Sequence, residues 1–263
     1  MSNKKRLVAY GCSFTLGQGL DTEVETPERP DPRSWPFELA KLLDREPVNR
    51  AVAGTSNKHI WHIALNSSYN SGDIVVFCWS CPQRTAFLTS KYDSDTYPEN
   101  EGHAFTQRPI YNADVTKIGT WMDEPEIVSY YATLFNYKDA VAETLLYMNH
   151  ANDYVLSNGA AGVIHTGIPV VKQFEYMAMK NHNNPIYYDR IASLELQPPF
   201  IREEDNVVEP AFIPHWNKVK MPFTMQEAID KKGKTLDGHL SLKGQKYFAK
   251  QLHNHLKLKG LAI

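Results

Sequence analysis

Short apolar runs alternate with segments of helical spacing along most of the chain. The β-prone runs predict strands at residues 6–10, 48–53, 74–79 and 160–164. Apolar residues recurring every three to four positions predict helices at residues 35–43, 57–69, 126–155 and 241–258. The run at 74–79 is apolar throughout, as expected for a central strand covered on both faces. This alternation predicts an α/β domain with a parallel sheet and helices on both faces.

Two polar, proline-containing stretches interrupt this order, around residues 90–125 and 182–223. We interpret them as loop insertions into a single domain that spans residues 1–263. Their aromatic side chains could stack on sugar rings or pack the insertions onto the body of the domain, and packing is favoured. These aromatic residues are Tyr92, Tyr97, Phe105, Tyr111, Trp121, Tyr187, Tyr188 and Trp216.

Composition and charge restrict the binding partners and the cellular compartment that are expected for this protein. The formal net charge of −2, from 28 basic and 30 acidic residues, predicts no general attraction to nucleic acid or to an anionic membrane surface. No apolar stretch is long enough to span a bilayer, and the N-terminus lacks the apolar run of a signal peptide. Three cysteines are too few for a disulfide framework, which predicts synthesis in the reducing cytoplasm. Association with a virion stays open.

Candidate chemistry lies where strands end. In parallel sheets, functional side chains collect in the loops that follow the carboxyl ends of the strands. Ser13 follows the first strand and Gly11, where a hydroxyl can act as a nucleophile beside free backbone N–H groups. His239, just before the last helix, could serve as its base, and Asp237 could orient the imidazole. Gly54, after the second strand, offers a further backbone N–H for an oxyanion hole.

Three sequence blocks resemble those of SGNH (GDSL-like) hydrolases, in the form found in phage-encoded members. They are G-C-S-F-T at 11–15, N-R-A-V-A-G-T-S at 49–56 and D-G-H-L-S-L-K-G at 237–244. The resemblance implies a three-layer α/β/α sandwich of the flavodoxin-like SGNH type, with a central, mainly parallel sheet. It also implies ester hydrolysis through an acyl-enzyme on Ser13, without metal or cofactor. The activities typical of the family imply a small-molecule or carbohydrate ester as substrate.

The sequence departs from the family pattern in two places. The third block normally supplies an asparagine to the oxyanion hole, but Ser80 is the nearest substitute here. Loss of one oxyanion donor can lower the rate by roughly 10²–10³. Asp237 stands two residues before His239, whereas the family spacing is three, so a Ser–His dyad stays an alternative. A catalytically weak or inert binding or structural protein of the same fold is therefore the second functional hypothesis.

Residues around the third strand carry the remaining hypotheses. We predict that Trp79 and Arg84 contact the substrate, although Arg84 could instead tie its loop to a carboxylate. Cys78 and Cys81 form a C-x-x-C pair, which makes a thiol redox protein the third hypothesis. His59 and His62 have a spacing compatible with a metal, but an ordinary helix face is favoured, and no metal site is predicted.

Overall fold

Four parallel strands form the central sheet. The computed structural model describes residues 5–20, 29–89, 114–119, 124–167, 201–202, 207–208, 225–258 and 260. Within them the sheet order is β2–β1–β3–β6. These strands are β1 (Arg6–Tyr10), β2 (Glu46–Asn49), β3 (Ile74–Trp79) and β6 (Gly162–Gly167). The predicted parallel α/β sheet is confirmed, and the carboxyl ends of its strands lie along one edge.

The described helices connect and cover these strands. They are α1 (Ser13–Leu16), α2 (Trp35–Leu42), α3 (Asn57–Leu65), α4 (Pro125–Thr133), α5 (Tyr137–Ser157), α6 (Met225–Lys232) and α7 (Leu242–Leu258). Two antiparallel pairs lie outside the main sheet: β4 (Thr85–Thr89) with β5 (Asp114–Ile118), and β7 (Ile201–Arg202) with β8 (Val207–Val208). None of the helices in the described ranges combines the length and apolar character needed to cross a membrane.

Alternate residues of the strands build two separate cores. Ile74, Val76 and Cys78 of β3 belong to a core shared with α2, α6 and α7. Val75 and Phe77 of the same strand belong to a second core shared with α3 and α5. Because successive side chains of a strand point to opposite faces, an entirely apolar β3 requires cover on both sides. The result is the three-layer α/β/α arrangement.

Several predicted boundaries differ from the structure. The segment at 48–53 is strand only as far as Asn49, and residues 50–56 form the loop before α3, although the Arg50 and Val52 N–H groups still donate to the Ala9 and Gly11 carbonyls. The predicted helix at 126–155 is two helices, since α4 ends at Thr133 and α5 begins at Tyr137. The break follows Leu134, which is 74% exposed and would gain little apolar burial by continuing α4.

The predicted insertions are described only in part. The stretch around 90–125 contains β5, whose partner β4 lies before the insertion, and neither strand was predicted. Their pairing joins residues about thirty positions apart, so no local period signals it. Most of 182–223 and the eight aromatic residues of the two insertions lie outside the described residues. The single-domain organisation stays a prediction.

Candidate active site

The turn from β1 into α1 presents Ser13. Gly11 permits this turn, because a Cβ there would lie 2.1 Å from Thr15 Oγ1. The Cys12 carbonyl then accepts from the Thr15 and Leu16 N–H groups at 2.9 and 3.0 Å, which starts the single-turn helix α1. Gly17 closes that helix in the left-handed region, at φ 91°. Ser13 is thereby fixed at the edge of the sheet where the strands end, with 4% of its surface exposed.

Residues from α7 and β2 hold this turn in place. Gln245 of α7 accepts from the Trp35 N–H at 2.8 Å and donates from Nε2 to the Phe14 carbonyl at 3.2 Å. Asn49, at the end of β2, donates from Nδ2 to the Thr15 carbonyl at 2.8 Å. The hydrogen bonds from Gln245 Nε2 and Asn49 Nδ2 thus both end on backbone carbonyls just after Ser13, those of Phe14 and Thr15. Rigid backbone around a nucleophile keeps its hydroxyl within reach of the base.

His239 meets Ser13 across the sheet edge. Its Nε2 lies 2.8 Å from Ser13 Oγ, although the two residues are 226 positions apart in the chain. The loop between α6 and α7 delivers the ring, because the Thr235 N–H donates to the His239 carbonyl at 2.8 Å. Phe14 packs on the imidazole, with ring centroids 4.6 Å apart. A hydroxyl and an imidazole at this distance can exchange a proton.

Asp237 lies on the other side of the imidazole. Its Oδ2 is 2.9 Å from His239 Nδ1, yet the ring N–H is not aligned for a hydrogen bond, so the contact is electrostatic in this conformation. Its Oδ1 accepts from the Thr235 hydroxyl and, at 3.3 Å, from the His239 N–H. The structure therefore brings Ser13, His239 and Asp237 together in the order of a triad. The alignment at Asp237 is looser than that at Ser13.

The charges of the site favour a neutral imidazole. Burial lowers the pKa of His239, Asp237 opposes that shift, and the positive charge of Arg84 lowers the pKa further. Burial by itself raises the pKa of Asp237, but the Thr235 hydroxyl and His239 outweigh it and leave this pKa below its ordinary value. At neutral pH the site thus combines an ionised carboxylate with a neutral base, the protonation states that general-base catalysis needs.

Gly54 lies on the loop that follows β2. The Val52 N–H donates to the Gly11 carbonyl at 3.0 Å, which ties this loop to the turn before Ser13. Gly54 has a φ of 66°, a conformation that glycine adopts without strain. Among the described residues, neither the Ser13 N–H nor the Gly54 N–H donates to a backbone carbonyl. Both amides are therefore candidates to receive an oxyanion.

The backbone N–H of Ser80 does not supply the missing third donor. It already donates to Asn57 Oδ1 at 2.7 Å, so only the Ser80 hydroxyl can play that part. That hydroxyl is buried and has no hydrogen-bond partner among the described residues. Asn57 also donates from Nδ2 to the Ser80 carbonyl and to Thr144 Oγ1, both at 3.0 Å. The site analysis from sequence missed Asn57, although an asparagine directly after the G-T-S loop was the available signal.

The prediction that Trp79 contacts substrate is wrong. Trp79 is fully buried, and its indole N–H donates to His165 Nδ1 at 3.0 Å. Its ring stacks with Phe77 and His165 in the core under α3 and α5. A continuous apolar strand does not reveal which of its last residues turns toward the site. Arg84, by contrast, acts electrostatically on His239 and therefore belongs to the surroundings of the site.

The burial of Cys78 and Cys81 contradicts the hypothesis of a thiol redox protein. Cys78 and Cys81 form no disulfide, and only 1% and 6% of their surfaces are exposed. Burial also raises the pKa of Cys78 well above its ordinary value, whereas a redox-active cysteine needs a lowered one. The Nδ1 atom of His59, a residue considered as a metal ligand, is 2.9 Å from Thr55 Oγ1 and is therefore engaged in a hydrogen bond. Among the described residues no three His, Cys, Asp or Glu side chains form a group that could hold a metal ion.

Comparison with known proteins finds solved structures at low sequence identity. No protein-family model matches the sequence, and no curated protein matches it. Among solved structures, TesA is similar over 97% of this chain and 99% of its own, at 13% identity and a TM-score of 0.45. A protein from Desulfitobacterium hafniense DCB-2, described as lipolytic and of the G-D-S-L family, is similar over 94% and 97%, at 11% identity and a TM-score of 0.41. A carbohydrate esterase is similar over 100% of this chain and 68% of its own, at 14% identity and a TM-score of 0.47.

Proposed function

We propose that the protein is a serine ester hydrolase with Ser13 as nucleophile and His239 as general base. The observation that carries this proposal is the 2.8 Å contact between Ser13 Oγ and His239 Nε2. A serine hydroxyl is a weak nucleophile unless a base accepts its proton as it attacks. A buried serine and a partly buried histidine, brought together from opposite ends of the chain on a turn and a loop, fit that requirement.

The acylation step begins with a proton transfer from Ser13 to His239 and ends with the acyl group on Ser13. His239 Nε2 takes the proton of Ser13 Oγ while Oγ forms a bond to the ester carbonyl carbon. The carbonyl π electrons move to oxygen and create an oxyanion. As the tetrahedral intermediate collapses, the imidazolium gives its proton to the departing alcohol and the acyl group stays on Ser13. Asp237 stabilises the imidazolium that exists between the two proton transfers.

Deacylation follows the same steps, with water in place of Ser13 as the nucleophile. His239 accepts a proton from water, the resulting hydroxide adds to the acyl carbon, and the oxyanion forms again. Collapse breaks the bond to Ser13 Oγ, which recovers its proton from His239 Nε2. The products are a carboxylic acid and the alcohol of the first step, and the enzyme returns to its starting state.

The Ser13 and Gly54 amides are the proposed oxyanion donors. Both lack a described backbone acceptor, and the Val52–Gly11 hydrogen bond holds their loops side by side. The Ser80 hydroxyl is the third candidate, through its side chain alone. With two amides in place of the usual set, we expect a slower enzyme than members that carry the third-block asparagine, by a factor of roughly 10²–10³.

The substrate class is proposed as a small-molecule or carbohydrate ester. The sequence resemblance to SGNH hydrolases supports this choice. We further propose that the chain is a phage-type member, which the form of its G-C-S-F-T block supports. An inert protein of the same fold is the competing hypothesis, and it rests on the absent third-block asparagine.

Covalent labelling and turnover test the proposal together. We expect the native protein to hydrolyse 4-nitrophenyl acetate and to be labelled by a fluorophosphonate at Ser13. Ser13→Ala should abolish both, while Ser157→Ala, which changes an exposed serine at the end of α5, should alter neither. Equal hydrolysis by the native protein and Ser13→Ala would remove Ser13 from the mechanism. Absence of turnover together with absence of labelling would favour the inert protein.

A further inference from the structure

Two cationic side chains, Arg84 and Lys117, border the site, and neither belongs to the triad. Lys117 lies on β5 opposite Ala86 of β4, and Arg84 directly precedes β4. Because strand side chains alternate between faces, Arg84 and Ala86 lie on the same face of the β4–β5 pair. Lys117, opposite Ala86, shares that face. The two cations are thus diagonal neighbours on one side of the hairpin.

Lys117 reaches from β5 to the loop that carries Gly54. It has 6% of its surface exposed, and its Nζ donates to the Ala53 carbonyl at 3.1 Å. An ammonium group has three N–H donors, so one bond to a carbonyl leaves donors to spare. In the described part of the chain no carboxylate forms an ion pair with Lys117. Burial of a cation without a counter-charge costs free energy, which an anion bound beside it would offset.

Arg84 extends the positive charge from Lys117 to His239. Its Nε and Nη1 atoms are buried, which places part of the guanidinium inside the protein. Burial, and then the charge of Arg84, lower the pKa of Lys117 to about 8. The same guanidinium lowers the pKa of His239, where Asp237 is the opposing carboxylate. Both cations are therefore within electrostatic reach of each other and of the reacting groups.

We propose that Arg84 and Lys117 form an anion-binding subsite beside Ser13 and His239, which selects esters carrying a negatively charged group. A guanidinium binds a carboxylate or phosphate through two N–H donors, and an ammonium adds a point charge. Bound anion also relieves the repulsion between the two cations. This inference rests on the proposed hydrolase function for its substrate, but not for the binding of an anion.

Matched esters test the selectivity and locate the charge. On the acyl side, mono-4-nitrophenyl adipate is compared with the ester in which the free carboxylate is replaced by a carboxamide. On the alcohol side, 4-acetoxybenzoate is compared with 4-acetoxybenzamide. We expect the native protein to favour the anionic member of one pair by about tenfold in kcat/KM, the size of one charge-assisted hydrogen bond. The pair that shows the preference identifies the side of the ester that bears the charge.

Variants separate the subsite from the triad. Arg84→Gln and Lys117→Gln should each reduce the ratio of kcat/KM for the anionic ester to kcat/KM for the neutral ester about tenfold, with both esters measured at the same pH. Lys250→Gln removes an exposed charge on α7 and is the matched control, expected to leave the preference unchanged. Equal loss of anionic and neutral turnover in both variants, with folding intact by circular dichroism, would overturn the subsite. So would a native protein that hydrolyses both members of each pair equally.

Anion binding can be measured without turnover. Inorganic phosphate should raise the Tm of Ser13→Ala by a few degrees relative to sodium chloride of equal ionic strength, because a ligand stabilises the state that binds it. The same shift should vanish in Ser13→Ala carrying Arg84→Gln and Lys117→Gln. A shift that persists in that variant would overturn the subsite. A shift that vanishes there, with no ester hydrolysed by the native protein, would retain the subsite and refute the hydrolase.

Discussion

Gly19 and Asp237 are in such close contact that a Cβ at position 19 would require the Asp237 carboxylate to move. A Cβ on Gly19 would lie 2.4 Å from Asp237 Oδ1 and 2.8 Å from Oδ2. Gly19 has a φ of 81°, in the region that favours glycine. The segment after α1 therefore limits where the carboxylate can sit relative to His239. Neither residue has a local sequence signal for this contact, since they are more than two hundred positions apart.

The first prediction concerns this contact. Gly19→Ala should displace the Asp237 carboxylate and lower kcat by about tenfold or more, with KM little changed, because the imidazolium loses its partner. Gly233→Ala is a matched control, since Gly233 also has a φ of 81° but a Cβ there meets nothing within 4 Å. Both variants should lose about 1 kcal/mol of unfolding free energy from backbone strain. Equal kcat values in the two variants would show that the contact does not position Asp237.

The second prediction asks whether Asp237 completes a triad. Asp237→Asn should lower kcat by about 10²-fold or more, because the amide cannot stabilise the imidazolium. Thr235→Val, which removes the hydroxyl that donates to Asp237 Oδ1, should give a smaller fall in kcat. Steady-state kinetics on 4-nitrophenyl acetate measure both. A change of less than about twofold in Asp237→Asn would mean that Ser13 and His239 act as a dyad.

The third prediction follows from the pKa of His239. The base is active when neutral, and burial lowers its pKa below the ordinary 6.5. Activity should therefore persist below pH 6.5 and fall only as His239 becomes protonated at lower pH. The pH dependence of kcat/KM reports this pKa in the free enzyme.

Two variants should shift the pH midpoint of this fall in activity in opposite directions. Arg84 lowers the pKa of His239, so Arg84→Gln should shift the midpoint to higher pH. Asp237 raises that pKa, so Asp237→Asn should shift the midpoint to lower pH. Shifts of the same sign in both variants, or a native midpoint at or above pH 6.5, would contradict the electrostatic description of the site.

The fourth prediction concerns Asn57. Its side chain joins the first turn of α3 to both backbone groups of Ser80 and to Thr144 of α5. Asn57→Ala should lower the free energy of unfolding by about 2–4 kcal/mol, because these buried groups lose their partners. Asn66→Ala, at the exposed end of α3, should cost much less. Urea unfolding measures both, and a loss below about 1 kcal/mol in Asn57→Ala would show that water replaces the amide.

The sequence alone determined the central architecture and the positions of Ser13 and His239. An apolar run such as β3 and the periodic pattern of α7 encode burial locally, because strand and helix periods fix which side chains share a face. The order of strands and helices then requires a parallel sheet, and a parallel sheet gathers its strand-end loops at one edge. Ser13 belongs to such a loop, whereas His239 lies between α6 and α7, and only the resemblance of its sequence block to that of SGNH hydrolases predicted that the two would meet.

Only the tertiary structure decided what surrounds that pair. Trp79 lies in the core and Asn57 is committed to Ser80, because register and helix placement select which strand-end side chains face inward. Lys117 comes to the Gly54 loop through the pairing of β4 with β5, which joins distant segments without a local pattern. Local periodicity records whether a residue is buried, whereas its partner depends on how separate segments pack together. The contact between Ser13 and His239 could therefore be predicted from the sequence, and the charges and contacts around it could not.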